Sequence, residues 1–331
     1  MKAVAYSIKP FEKEFLAKAN QKKHEITLIS NALSFDTSNY AEGKNAVIVF
    51  INDDVSGGVI EKLAGYGIKY ILTRSVGTEH IDTQHAAKYG IKVANVSAYS
   101  SLAIAEHSVA LAFALNRKFS KNDHHNYSSE FKNDEFIGFN FSGKTVGIIG
   151  LGNIGKAVAN IYKGIGCKVI GYDPYLKDNL PGIKLVDFDE LLANADIISF
   201  HVPLNSSTEH LIRRATINKM KDGVMLINAS KSAILNMRDI LVGVEGRKIG
   251  YLGLDIFEND GGLFEKKSQS NFLNDPLLKD LWQRQNVLVT HHQANLTREG
   301  LQDIADQTIK KLDVWQKNDF SDNPHESNIL F

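Results

Sequence analysis

Cysteine is almost missing from this sequence: Cys167 is the only one in 331 residues. That excludes an internal disulfide and any metal site built from several thiolates, and it suits a reducing, cytoplasmic setting. An excess of charge is lacking too, with 38 Lys plus Arg against 38 Asp plus Glu. No basic surplus points to nucleic acid or to an anionic membrane surface, so small molecules are the expected partners. No apolar run approaches the roughly 20 residues of a membrane helix. There is no low-complexity tract, and "MKAVAYS" at the N-terminus reads as a first strand rather than a secretory signal. No metal is expected.

What the chain does have is alternation. A length of 331 residues suggests two domains. Apolar, β-branched runs such as "NAVIVFI" (Asn45–Ile51), "KYILTRS" (Lys69–Ser75) and "KVANV" (Lys92–Val96) read as strands covered on both faces. Amphipathic stretches, including Val59–Tyr66 and Ile81–Tyr89, lie between them. Three junctions repeat one pattern: "GIKY" from Gly67, "GIKV" from Gly90 and "GCKV" from Gly166. Each puts a glycine where a helix ends and a strand begins, a position that favours a left-handed backbone. Repeated βα units of this kind imply a doubly wound parallel sheet. A polar stretch from Ser120 to Ser142 separates the apolar helix Leu102–Phe119 from a new strand, "TVGIIG" (Thr145–Gly150). A last amphipathic helix, about Arg298 to Gln316, follows the second domain. The first domain is therefore expected to be discontinuous, residues 1–100 plus 298–331, with 101–297 forming the other.

"TVGIIGLGNIGKAVANIYKGIGCKVIGYDPY" contains GxGxxG at Gly150, Gly152 and Gly155. The first glycine permits a tight turn, the second lets backbone approach a pyrophosphate, and the third lets helix pack on strand. Asn153 and Ile154 open the helix, whose free N–H groups and positive dipole end suit phosphate. Asp173 ends the next strand, where a carboxylate binds ribose hydroxyls and repels a 2′-phosphate. The cofactor expected is NAD. A glycine-rich turn with Asp173 merely capping the bend before Pro174 is the bland alternative, disfavoured by the strand–turn–helix–strand setting.

Three further strand ends carry chemistry. "NVLVTHHQANLT" places His291 and His292 at the end of one, "YLGLDIFEND" places Asp255, Glu258 and Asp260 at or after another, and "GVMLINAS" leads to Lys231. Ligands of open α/β sheets bind at this edge. A histidine can pass a proton near neutral pH, a carboxylate can orient it, and a cation can hold a substrate carboxylate. Taken singly, each is as readily a hydrogen-bonding or solvated side chain. Together, downstream of a nucleotide motif, they indicate hydride transfer to a 2-oxo acid.

With "YSSLAIAEH" (Tyr99–His107), "GLGNIG", "HVPL" (His201–Leu204), "MKDGVMLIN", "LGLDIFEN" and "THHQANLT", nearly the whole chain resembles the D-isomer-specific 2-hydroxyacid dehydrogenases, and most closely their fermentative D-lactate dehydrogenase branch. The resemblance implies an α/β protein of two Rossmann-like doubly wound parallel-sheet domains with a cleft between them. Residues 1–100 plus 298–331 would be the substrate (catalytic) domain and 101–297 the NAD-binding domain, hinged near residues 100 and 297. A homodimer or homotetramer is implied. His292 matches the proton donor, Val76 and Gly77 the loop for the substrate carboxylate, and Tyr99 a pocket residue. Pro203 and Asp255 match cofactor contacts, Asp255 toward the nicotinamide amide.

The departures cluster at the active positions. The family's N-x-S-R-G-x-x-x-D is here "NASKSAILN": Lys231 replaces the arginine, Ser232 the glycine and Asn236 the aspartate. The glutamate partnering the histidine aligns with Asp260, one methylene shorter, and Asn295 stands where an aromatic is common. Lysine keeps the charge but loses the two-pronged fork. Losing one charge-assisted contact costs about 1.5–3 kcal/mol, or roughly one to two decades in rate. The expected activity is NADH-dependent reduction of a small 2-oxo acid, pyruvate first, to the D-hydroxy acid, weakened or shifted in specificity by Lys231 and Asp260. The alternative is an NAD(H)-binding regulatory or interaction protein whose catalysis is impaired. Histidine, acid and cation all persist in type, which favours catalysis.

Overall fold

A computed structural model describes residues 1–96, 101–119, 136–255 and 276–317. Tyr99, Glu258 and Asp260 lie outside the described residues. The chain divides into two compact units, one of Met1–Ser100 with Leu296–Phe331 and one of Ser101–Asn295.

The first unit holds β1 (Lys2–Ala5), β2 (Glu25–Leu28), β3 (Ala46–Val49), β4 (Tyr70–Thr73) and β5 (Lys92–Asn95). They form one parallel sheet in the order β2-β1-β3-β4-β5. β3 reads Ala-Val-Ile-Val and is buried throughout, because helices cover both faces of a parallel sheet and each side chain of a central strand meets apolar neighbours. The helix Arg298–Lys317 joins this unit. Its Trp315 is 2% exposed and stacks on Tyr70 with ring centroids 4.7 Å apart, while Ile309 and Leu312 share a core with Ala3, Ile48 and Leu72. Burial of a side chain that size carries several kcal/mol. This is why the end of the chain belongs to the unit that its beginning builds.

The second unit holds β6 (Thr145–Ile149), β7 (Lys168–Tyr172), β8 (Lys184–Leu185), β9 (Ile197–Phe200), β10 (Val224–Asn228), β11 (Ile249–Asp255) and β12 (Val287–Thr290). Its parallel sheet runs β12-β11-β10-β9-β6-β7-β8. Strand order reverses at β6, with later strands laid down on both of its sides. Ligands of doubly wound sheets bind at such a switch point, at the carboxyl ends of the strands. The parallel-sheet α/β class read from the alternation, and the two sheets that the resemblance implies, are observed. The glycines at the three repeated junctions are all left-handed, with φ +80° at Gly67, +67° at Gly90 and +85° at Gly166. The apolar helix of the sequence spans Ser101–Asn116, slightly shorter than expected, and packs within the second unit. No helix among the described residues is long and apolar enough to cross a membrane.

Candidate active site

Six chemistry-bearing residues lie at or just past the carboxyl ends of six neighbouring strands of one sheet. Gly150, Asp173 and His201 each follow directly on β6, β7 and β9, whose last residues are in register: Ile149 pairs with Tyr172 and with Phe200. Asp255 ends β11, Lys231 comes three residues after β10, and His292 two after β12. Asn228 pairs with Leu254, and Asp255 with Thr290. Adjacent strands lie about 4.8 Å apart, so cation, carboxylate and histidine leave the sheet side by side.

The glycine loop has the shape that the sequence asks for. Gly150 has φ +89°, and a Cβ there would lie 2.4 Å from the His201 carbonyl oxygen. A Cβ on Gly155 would lie 1.9 Å from the Gly150 carbonyl oxygen, so strand and helix could not approach as they do. Gly152 is different. Its backbone (φ −68°, ψ −164°) is open to any residue, and nothing lies within 4 Å of the position a Cβ would take. Neither packing nor conformation calls for glycine there, whereas a pyrophosphate drawn up to the backbone does. Gly152 caps the helix Asn153–Gly164, and Asn153 is exposed with Ile154 half-buried beside it. The loop fits a dinucleotide.

Asp173 also works within the protein. Its Oδ2 accepts the Leu151 N–H at 2.9 Å and its Oδ1 the Tyr175 N–H at 3.0 Å, which ties the glycine loop to the end of β7. His201 pairs through Nε2 with Ser199 Oγ at 2.8 Å, while its Nδ1 is buried with no partner among the described residues. A proton on that nitrogen would be a buried charge, and burial pushes the imidazole pKa down to about 3. Exposed Pro203, two residues on, has its carbonyl fixed by the Thr208 hydroxyl.

Lys231 sits on a rigid turn. Asn228, fully buried at the end of β10, accepts the Ser230 N–H through Oδ1 and donates from Nδ2 to the Lys231 carbonyl at 3.1 Å. Ser230 Oγ donates to the Phe200 carbonyl of the next strand at 2.9 Å. Two of the departures nearby have simple accounts. Asn236 caps the helix Met237–Glu245 by accepting the Asp239 N–H, a task asparagine performs as well as aspartate. Ser232 is buried and not in a left-handed conformation, so the backbone there does not demand glycine.

Asp255, 3% exposed, is the most heavily bonded carboxylate of the group. Oδ1 accepts from the Thr290 hydroxyl at 2.7 Å and the Gln293 N–H at 3.0 Å, and Oδ2 accepts the Ala294 N–H at 2.9 Å. Between these anchors His292 is left-handed, with φ +46°, a conformation that costs a non-glycine residue about 1–2 kcal/mol. Thr290 also meets His107 of the helix Ser101–Asn116, at 3.0 Å from Nε2. Sequence reading missed this inner connection. His107 was visible only as part of a motif, and Thr290 as a strand residue.

In the first unit, Val76 and Gly77 follow β4. The Val76 carbonyl accepts from Asn95 Nδ2 at 2.6 Å, and the Gly77 carbonyl from Ser75 Oγ at 2.8 Å, itself 2.7 Å from Thr73 Oγ1. Arg74 is the nearest cation in sequence, but it is buried, paired with Glu12 and bonded to the Tyr6 carbonyl at 2.9 Å. Among the described residues no group of three His, Cys, Asp or Glu could hold a metal ion.

Residues 109–294 match the family model of the D-isomer specific 2-hydroxyacid dehydrogenase NAD binding domain. The chain belongs to the D-isomer-specific 2-hydroxyacid dehydrogenases. It is 38% identical to a D-lactate dehydrogenase of Curvularia clavata, over 96% of this chain and 93% of that one. It is 35% identical to the D-lactate dehydrogenase of Escherichia coli strain K12, over 98% and 99%. Among solved structures, the apo form of D-lactate dehydrogenase from Escherichia coli superimposes with a TM-score of 0.87, at 34% identity over 96% of this chain and 98% of that one. The pyruvate reductase of Chlamydomonas reinhardtii does so with a TM-score of 0.87, at 37% identity over 96% and 97%. The chain is thus an NAD-dependent 2-hydroxyacid dehydrogenase.

Proposed function

We propose that the protein reduces a small 2-oxo acid to the D-2-hydroxy acid, with pyruvate as its first substrate. The observation that carries this reading is the placement of Lys231, Asp255 and His292 at the ends of β10, β11 and β12, three neighbours in the sheet whose switch point carries the nucleotide loop. Its relatives named for D-lactate dehydrogenase and pyruvate reductase activity support the choice of substrate.

NADH, when bound, supplies the hydride. His292 delivers a proton to the carbonyl oxygen as the C–O bond becomes an alcohol, and takes it back in the reverse direction. Lys231 offers a compact cation to the substrate carboxylate and to the charge growing on the carbonyl oxygen. Its turn is held by Asn228, whose Nδ2 donates to the Lys231 carbonyl. By the family resemblance, the backbone of Val76 and Gly77 would bind the substrate carboxylate, Tyr99 would be a pocket residue and Asp260 would be the acid paired with His292. Asp173, the loop Gly150–Gly155 and Pro203 are the residues that would hold the dinucleotide. Asp255 shapes the His292 turn and would be the acceptor for the nicotinamide amide. The single Cys167, buried against the Phe141 carbonyl, accords with a cytoplasmic protein, and a homodimer or homotetramer is the expected assembly.

The test is NADH oxidation with pyruvate and a series of longer and more polar 2-oxo acids, with chiral analysis of the product. Pyruvate should be turned over and yield D-lactate. An L product, or no turnover of any 2-oxo acid above the protein-free rate, would overturn the proposal.

A further inference from the structure

The Asp255 carboxylate has a place in a longer chain of hydrogen bonds that ends at the backbone around His292. A carboxylate only accepts, so the 2.7 Å bond to Oδ1 uses the single hydroxyl proton of Thr290, in preference to the Leu254 carbonyl at 3.3 Å. Thr290 Oγ1 is then an acceptor toward His107, and His107 Nε2 must carry the proton that closes the 3.0 Å contact. Direction is therefore fixed along the whole row: His107 Nε2–H to Thr290, Thr290 O–H to Asp255, and Asp255 accepting the N–H groups of Gln293 and Ala294. Burial lowers the His107 pKa, partly offset by Asp255 3.7 Å away.

We infer that His107 and Thr290 are positioning residues for the reaction, acting through Asp255 to hold the left-handed turn that presents His292. Four observations converge on this. His292 adopts a backbone conformation that an L residue leaves unless held, with φ +46°. The two peptide N–H groups that follow it are both bound by one carboxylate. That carboxylate is 3% exposed and is itself oriented by Thr290. Thr290 is in turn oriented by a histidine from a helix about 180 residues earlier, their separation being 183 positions. Valine would fill the Thr290 position in a strand as well as threonine if packing were the only requirement. The inference rests on His292 being the proton donor, and its test separates the two ideas.

The full-length protein is compared with Thr290→Val, which keeps the shape and loses the hydroxyl, and with Thr290→Ser, which keeps the hydroxyl. His107→Leu and His107→Gln form a second pair, since glutamine can still donate to Thr290. Amide hydrogen exchange in the ligand-free protein, NADH affinity by fluorescence, and kcat with pyruvate are read for each, with His292→Ala alongside. Thr290→Val and His107→Leu should speed exchange at Gln293 and Ala294 at least tenfold and lower kcat about tenfold. NADH affinity should change less than threefold, and Thr290→Ser and His107→Gln should recover kcat to within threefold of the wild type. Unchanged exchange, kcat within twofold of wild type in both loss variants, or a loss confined to NADH binding would overturn the inference. Should one loss variant fail to fold, the other pair decides. If His292→Ala keeps full turnover, it is the proton-donor reading that fails, and amide exchange still decides whether the row holds the turn.

Discussion

Lowering the pH should weaken the second unit through one side chain, His201. Its Nε2 meets Ser199 Oγ at 2.8 Å, and its Nδ1 is buried with no acceptor among the described residues, so protonation would place a charged N–H in the interior. The folded pKa is therefore about 3, against about 6.5 in the unfolded chain. Between those values the unfolded state binds the proton and the folded state does not. Stability is accordingly complete above the unfolded value and is lost as pH falls through it, by up to about 1.4 kcal/mol per pH unit. At pH 5 the loss is about 2 kcal/mol, or roughly 4–8 °C in melting temperature for a unit of this size. His107 adds to it in the same direction, its pKa being lowered by burial. Thermal and urea unfolding of wild type and His201→Gln at pH 7.5 and pH 5 isolates the term, because glutamine cannot titrate. The wild type should lose about 2 kcal/mol more than the variant across this interval. Equal losses would refute the reasoning, since they would mean that His201 protonates in place.

Other expectations follow from single contacts. Asp173→Ala should weaken NADH about 10- to 100-fold without producing an enzyme that prefers NADPH, because it also removes the acceptor for the Leu151 N–H that steadies the loop. Asp173→Asn, which retains an acceptor, should lose less; NADPH binding by Asp173→Ala as tight as the wild type's NADH binding, in a fluorescence titration, would refute this. Tyr162→Phe should be neutral or stabilising by about 1 kcal/mol in urea unfolding, since the buried hydroxyl has no partner among the described residues. Lys231→Ala should lower kcat/KM for pyruvate by roughly one to two decades with NADH affinity unchanged, as expected for loss of a charge-assisted anchor. Steady-state kinetics check this, and a fall of less than threefold would contradict it.

Period and punctuation made the architecture readable. Buried strands such as β3 and β10 are runs of apolar residues because both faces are covered, and the left-handed glycines at 67, 90 and 166 mark the junctions where helices end. The nucleotide loop was readable for a stronger reason: Gly150 and Gly155 are each required by a backbone oxygen too close for any Cβ. Lys231, Asp255 and His292 could be chosen because each stands at a strand end, and the sheet order then sets those ends side by side. What escaped sequence reading was cooperation between distant positions. Nothing in the spacing says that Asp173 bonds Leu151, or that His107 reaches Thr290, since such partners are fixed by how helix and sheet pack. Nor could the departures at Ser232 and Asn236 be weighed until a cap and an unstrained backbone showed what those positions require.

The most direct measurement of the account is the turnover of NADH with saturating pyruvate by the wild-type protein against His292→Ala. A histidine that supplies the proton contributes roughly 10²- to 10⁴-fold. The account predicts D-lactate formation by the wild type and a fall of at least two decades in the variant, with NADH affinity retained. Equal rates in the two proteins, or no rate in either, would contradict it.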